Sequence, residues 1–282
     1  MSVSMGMRPL GAAIALCLLA MAAGSARADV CANQSGFAST STSTGQSAAC
    51  GNFNEAGGLW VSAFGNSNKA SGSDSNAHGQ GNQAVGSLNN AFGGWNLATG
   101  GQASAFGLRN VADGSGSNAF GRANEASGAG ANAFGWENVS SGLANNAFGI
   151  RNQVTGENAS AFGTANTVSA DLGWAFGSQN QVDGMAGLAL GISNESSGQR
   201  STALGHHNVA GSVGSVAIGY FNEASGTQST AVGNLSNARG LHSNAFGFFT
   251  SARGEESTAV GLHGIAEGQA SSAYGAWSRA TG

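Results

Sequence analysis

Small, apolar and polar positions recur along this chain with a period of 14. From Ala49 an Ala-x-Gly triplet returns every 14 residues without insertion or deletion, at 49, 63, 77 and onward to 259 and 273, seventeen copies in phase. With this Ala as position 1 and its Gly as position 3, position 8 is mostly Ala, otherwise Val or Ser. Position 10 is Gly in fifteen of the seventeen copies, with Ala170 and Ser212 as exceptions. Position 6 is Asn in thirteen consecutive copies, Asn54 through Asn222, then Ser236, Thr250, Gly264 and Ser278. Positions 1 and 8 are seven apart, as are 3 and 10, so each 14-mer is two similar halves. A helical heptad fails, because a coiled-coil seam needs large apolar residues where this chain puts Ala and Gly, and Gly costs roughly 1 kcal/mol per helical site. Short strands bounded by Gly and Asn fit. The pattern predicts an all-β solenoid of 14-residue coils, a flat parallel β-roll with two short strands and two turns per coil.

Side chains alternate along a strand. Positions 1, 3, 8 and 10, all Ala or Gly, are therefore expected to share the interior, which is then thin and has no room for Phe. Position 2 points outward. It reads Cys50, Phe64, His78, Phe92, Phe106, Phe120, Phe134, Phe148, Phe162, Phe176, Leu190, Leu204, Ile218, Val232, Phe246, Val260 and Tyr274. Its counterpart in the second half, position 9, runs from Ser71 and Val85 to Arg239, Arg253 and Glu267. One outer face is an apolar ladder and the other is polar. With coils about 4.8 Å apart, seventeen of them make a rod of roughly 80 Å. So long an apolar stripe is an aggregation hazard on a soluble monomer, so the pattern predicts a homo-oligomer packed stripe against stripe. The opposite arrangement, Phe inside and Ala outside, stays open on spacing alone. The position-6 Asn either form a hydrogen-bonded ladder from coil to coil or face water as ordinary turn residues.

Gly is 48 of 282 residues with one Pro, which excludes collagen, and 41% apolar residues argue against plain disorder. Residues 1–28 form a separate object. Arg8 precedes the apolar run LGAAIALCLLAMAAG, and ARA at 26–28 is a small-x-small site. This is the layout of a secretory signal peptide cleaved after Ala28; an uncleaved anchor is the alternative, although the run is short for one. Residues 29–48 are then an N-terminal segment and residues 49–282 the repeats. Removing residues 1–28 takes Arg8 and Arg27 from the ten basic residues, leaving 8 − 14 = −6. That surface gives no electrostatic reason to bind nucleic acid. Cys31 and Cys50 remain in an exported chain and are a disulfide candidate, or else two separate thiols.

No nucleophile elbow, phosphate-binding loop or dinucleotide fingerprint occurs, and the five His have no Cys, Asp or Glu at metal-ligand spacing. The chain reads as a non-enzyme without a cofactor. Positions 4 and 5 vary most and carry bulky residues: Trp95, Trp136, Tyr220 with Phe221, Phe248 with Phe249, and Trp277. They line one edge of the rod, either as a ligand-contact surface or as packing between chains.

With these positions in place, the segment GSVAIGYFNEASG at 214–226 resembles the head repeat of trimeric autotransporter adhesins, the YadA-like head. Ser215, Val216, Ala217, Ile218, Gly219, Ala224 and Gly226 match that family's consensus, while Asn222 stands where the family usually has Ser. STAVGNLSNARG at 229–240 keeps Ser236 there. The resemblance spans about residues 49–282. It implies a left-handed parallel β-roll, a homotrimeric head, a place on a bacterial cell surface or outer membrane, and attachment to a host extracellular matrix protein or cell-surface receptor. A purely structural surface rod without a receptor is the competing expectation, and an ice-binding solenoid is disfavoured because position 9 lacks a regular Thr array. Phe replaces the family's usual Ile or Val in much of the ladder. The family usually continues into a neck, a coiled-coil stalk and a membrane barrel. Nothing of that kind, and no membrane-spanning segment in the mature chain, is expected within residues 29–282, so a truncated or released head is expected.

Overall fold

The structure, a computed structural model, describes residues 29–31 and 42–282. The signal peptide expected at 1–28, with its cleavage point, lies outside the described residues. The described chain is an all-β parallel solenoid of about seventeen turns. Each coil contributes one five-residue strand, such as Asn118–Arg122, and one two-residue strand, such as Glu125–Ala126. Five-residue strands pair with those of the coils before and after, and two-residue strands do likewise, always parallel and offset by 14 residues: Phe120 lies between Phe106 and Phe134, and Ala126 between Ala112 and Ser140. The result is a wide face and a narrow face. At the N-terminal end the long strands Thr42–Asn52 and Glu55–Asn66 run through both faces. Their register slips by one residue between Gln46 and Ser47, which leaves Trp60 as the extra residue of a bulge.

The period dictates this register. A one-residue slip in strand pairing would exchange inner and outer side chains, and every coil carries the same Ala at the same place. Position-1 Ala residues are buried along the rod, as are those at position 8 up to Ala266, with Ala280 in the last coil only partly covered. Phe is outside and Ala inside, which settles the choice that spacing alone left open. Two expectations about the interior need correction. Position 3 does not face inward. Gly121 and Gly135 are the fourth residues of their five-residue strands, with φ of 119° and 123°, and a Cβ there would be driven into the carbonyl oxygen of the equivalent Gly one coil on. The position is Gly because of the next coil's backbone, not because the interior is narrow. The interior also has contributors beyond Ala and Gly. Position 6 is buried, from Asn54 to Asn222, and so is position 13, the residue two before each Ala, as at Ser117, Ala131, Asn145 and Gly187.

Positions 8 and 13 fill the space jointly. Where position 8 grows to Val168 or Val182, position 13 of that coil shrinks to Gly173 or Gly187, where an added Cβ would press on those very Val methyls. Where position 8 is Ser140 or Ser196, position 13 answers with a hydrogen-bonding side chain, Asn145 or Ser201. Pairing these two spares each position-8 hydroxyl the cost of about 1–3 kcal/mol for an orphaned buried polar group, a cost the position-13 hydroxyls of Ser117 and Ser229 do not escape.

Both turns use a left-handed residue. Position 5 (Ala123, φ 55°; Glu137, φ 55°) and position 12 (Ala144, φ 52°; Gly130, φ 67°) have positive φ throughout, mostly without Gly. From Ser67 onward each such residue donates its N–H to a carbonyl one coil back, as Glu137 does to Arg122 and Ala144 does to Ala129. The turns are thereby welded into the same axial ladder as the strands.

Candidate functional site: the outer ladder and the rod edge

The position-2 residues form one outward column on the wide face. Phe92, Phe106, Phe120, Phe134, Phe148, Phe162 and Phe176 stack with centroids 4.7–5.1 Å apart and ring planes within 11° of parallel. Strand spacing sets this repeat, and each ring is half-buried between its neighbours. The column continues by register through Leu190, Leu204, Ile218, Val232, Phe246, Val260 and Tyr274. Leu190 and Phe246 remain 41% and 37% exposed and Tyr274 66%, so within one chain the stripe is covered only by itself. Beside it, position 14 contributes a polar column in which Asn118 donates to Asn132 and Asn132 to Asn146. Trp174, in that column, lies against Phe176 with ring centroids 6.0 Å apart. Sequence reading passed over it because position 14 is otherwise polar or aliphatic.

Behind the apolar column runs the Asn ladder, whose geometry decides between the two expectations for position 6. Asn138 is fully buried. Its backbone N–H and its carboxamide both donate to Asn124 Oδ1. The same carboxamide donates to the carbonyls of Phe134 and of Gly149 in the next coil. Each rung thus ties the Phe backbone of its own coil to the end of the next coil's strand. The pattern repeats to Asn222, after which Ser236 takes over, receiving the thread through its N–H and passing it to Thr250 through its hydroxyl.

His78 interrupts the Phe column. It lies 4.8 Å from both Phe64 and Phe92, with Nε2 2.7 Å from Ser62 Oγ. Burial among these rings lowers its pKa below the ordinary 6.5. The unfolded chain therefore takes up a proton first as pH falls. Stability contributed by neutral His78 is complete above about pH 6.5 and is lost as pH falls from there through the folded value. His78→Phe should remove that part of the acid sensitivity. Thermal melts of both proteins at neutral and mildly acid pH check this: equal losses on acidification would contradict it.

At the edge, the sequence-predicted aromatics do not converge on one site. Trp95 packs over Gly81, where any Cβ would collide with its ring. Tyr220 stacks on His206 at 5.2 Å and Phe221 on His207 at 4.6 Å. Phe248 meets Phe249 edge-on, and Phe249, His263 and Trp277 form a stack at 5.0 and 4.2 Å. Trp136 is flanked by Arg122 and Arg151. All seven are 40% exposed or more, and Trp277 reaches 72%. Among the described residues no group of three or more His, Cys, Asp or Glu is placed to hold a metal ion. Among the described residues five ion pairs link neighbouring coils on the surface, including Lys69–Glu55 and Arg239–Glu223; being exposed, they contribute little. Cys50 is disulfide-bonded, and the backbone register sets Cys31 opposite it. Among the described residues no helix is long and apolar enough to cross a membrane.

Residues 147–171, 183–208, 196–222, 210–236 and 224–248 match the family model described as the YadA head domain repeat (2 copies). The chain therefore carries YadA head repeats across residues 147–248, a kind of repeat that points to adhesin-type surface proteins. No curated protein matches the chain. The coil geometry does not change at the margins of the matched region. Phe106, Phe120 and Phe134, before it, pair in the same register as Leu204, Ile218 and Val232 within it.

Proposed function

We propose that this chain is the exported head of a trimeric surface adhesin, a left-handed roll that attaches cells to host matrix or to other cells. The observation that carries the reading is the unbroken, outward apolar column on the wide face. Burying each Phe contributes on the order of 1.5–3 kcal/mol, and a second and third copy bring the complementary surface. Because the roll's interior is built from other positions, the column is free to serve association. The trimer number and surface location come from the family likeness, as does the class of receptor. A Cys31–Cys50 bridge, suited to an oxidising compartment, would pin the first coil, and residues 1–28 would direct export. Three rods side by side repeat each edge contact threefold, so weak contacts sum to strong attachment.

Sedimentation of the full chain tests the assembly. The wild type should sediment as a trimer, and Phe120→Ser with Phe134→Ser and Phe148→Ser should yield separate chains that keep their β circular dichroism. A well-folded wild-type monomer at working concentrations would overturn the reading. Attachment to collagen- or fibronectin-coated surfaces and to cultured cells tests the adhesive role, and lack of attachment to any of them would count against it.

A further inference from the structure

The rod edge carries one group of residues that the head reading does not use. Over four consecutive coils, positions 4 and 5 present Arg109, Arg122, Trp136 with Glu137, and Arg151. The three Arg against one Glu make this stretch of edge positive on a chain whose net charge is −4. From Thr164 to Thr250 the same two positions hold no Asp, Glu, Lys or Arg at all. The group has internal order. Arg122 Cζ lies 5.8 Å from the Trp136 ring centroid and Arg151 Cζ 5.4 Å, so the indole holds a guanidinium from the coil before it and one from the coil after it. Glu137 accepts a 2.8 Å bond from Arg151 Nε, and that hydrogen bond holds its carboxyl below the usual range. Arg109 and Arg122 form no ion pair among the described residues.

We propose that Arg109, Arg122 and the Trp136–Arg151 pair form a binding subsite for a linear sulfated or carboxylated polysaccharide lying along the rod. This rests on the adhesin reading and names a ligand class for it. Stacking on an indole fixes the plane of a guanidinium and leaves its N–H fork for two parallel bonds to an oxyanion. Arg122 lies within cation–π distance of that ring and makes no ion pair with a carboxylate among the described residues, Glu137 acting on it only through space. The cations follow one another rung by rung along the axis, which suits a linear polyanion. Exposed Leu108 and Ile150 at either end offer apolar patches for the C–H faces of sugar rings. A peptide would ordinarily gain affinity by adding a strand to a sheet edge. Here the strands of these coils are paired on both sides, Asn118–Arg122 with Ser104–Leu108 and Asn132–Trp136, so no such edge is free.

The test uses the full-length protein with immobilised dextran sulfate, neutral dextran and polyglutamate as probes. Wild type should be retained by dextran sulfate in a salt-dependent way and pass through neutral dextran. Arg122→Gln should weaken retention by about tenfold or more, the loss of a charge-assisted pair of bonds, and Arg122→Lys should restore only part of it, because the planar fork is gone. Arg253→Gln, on the narrow face, should bind as wild type does. Circular dichroism and sedimentation establish that each variant is folded. Three results would overturn the proposal: no retention on dextran sulfate, equal retention of Arg122→Gln, or equal retention on polyglutamate. Cell attachment is measured separately. If wild type attaches and neither dextran sulfate nor Arg122→Gln reduces it, the polysaccharide subsite fails while the adhesin reading stands; if dextran sulfate binds but no surface is colonised, the reverse holds.

Discussion

Gly135→Ala should cut the rod in the middle. Gly135 has φ of 123°, a backbone region that is essentially closed to side chains, and its new methyl would be driven into the carbonyl oxygen of Gly149. That oxygen cannot retreat, because it accepts from the Asn138 carboxamide at 2.7 Å. Backbone strain and overpacking together cost about 2–6 kcal/mol. In a solenoid this falls on one coil and its two interfaces, so the rod should open locally and keep its ends. Hydrogen exchange should show lost protection over roughly the coils from 121 to 163, with the first and last coils unchanged, and a lower melting temperature. Gly130→Ala is the control. Its φ is also positive, at 67°, but an added methyl meets nothing nearer than Ala144 Cα at 3.7 Å, and position 12 already holds Ala at Ala144 and Ala186. It should cost about 1–2 kcal/mol, the left-handed penalty alone. If the two variants melted alike, the coil-to-coil carbonyl contact would not be what requires Gly.

Asn138→Ala should be nearly as damaging, through hydrogen bonds instead of sterics. Removing the carboxamide strips the Asn152 backbone N–H and side chain of their acceptor, at 3.0 Å each. It also leaves the carbonyls of Phe134 and Gly149 without this donor, and Asn124 Oδ1 without its side-chain partner. At about 1–3 kcal/mol per buried group left unsatisfied, a cost of roughly 3–5 kcal/mol is expected. Asn138→Ser should cost far less, because the chain already makes that exchange. Ser236 donates its backbone N–H to Asn222 Oδ1 and its hydroxyl to Gly247 O at 3.0 Å, and accepts from the Thr250 hydroxyl at 2.8 Å. Denaturant melts read at the central coils check the order wild type, Ser, Ala. Equal stability of Ala and Ser would mean that the ladder's side chains carry no weight.

The charged surface should respond little by comparison. Glu267 shows why: its carboxyl is held below the usual range, first by the hydrogen bond from Arg279, but the pair is open to solvent. Neutralising it perturbs two exposed ion pairs, with Arg253 and Arg279, and no backbone.

The sequence by itself determined the coil. An unbroken 14-residue period, Ala fixed at two places and Phe alternating with it put Ala and ring on opposite faces in one register, because a strand has only two faces; that the Ala face is the inner one was decided by the stacked coils. It also determined which column would be apolar and which edge would carry the aromatics. Only the tertiary structure decided what each Gly is for, since the obstacle at Gly121 is an oxygen 14 residues away, supplied by stacking and not by neighbours in the chain. It decided that Asn54 through Asn222 face inward, because whether an amide prefers water or a neighbour depends on whether the next coil's amide lies within reach. Position 13 went unread for a related reason: Ser117, Ala131, Asn145 and Gly187 share no residue type, only a space whose size is set by the side chain at position 8 across the interior. The pairing of Arg122 and Arg151 about Trp136 likewise exists only once coils 14 residues apart are stacked a single strand-spacing from one another.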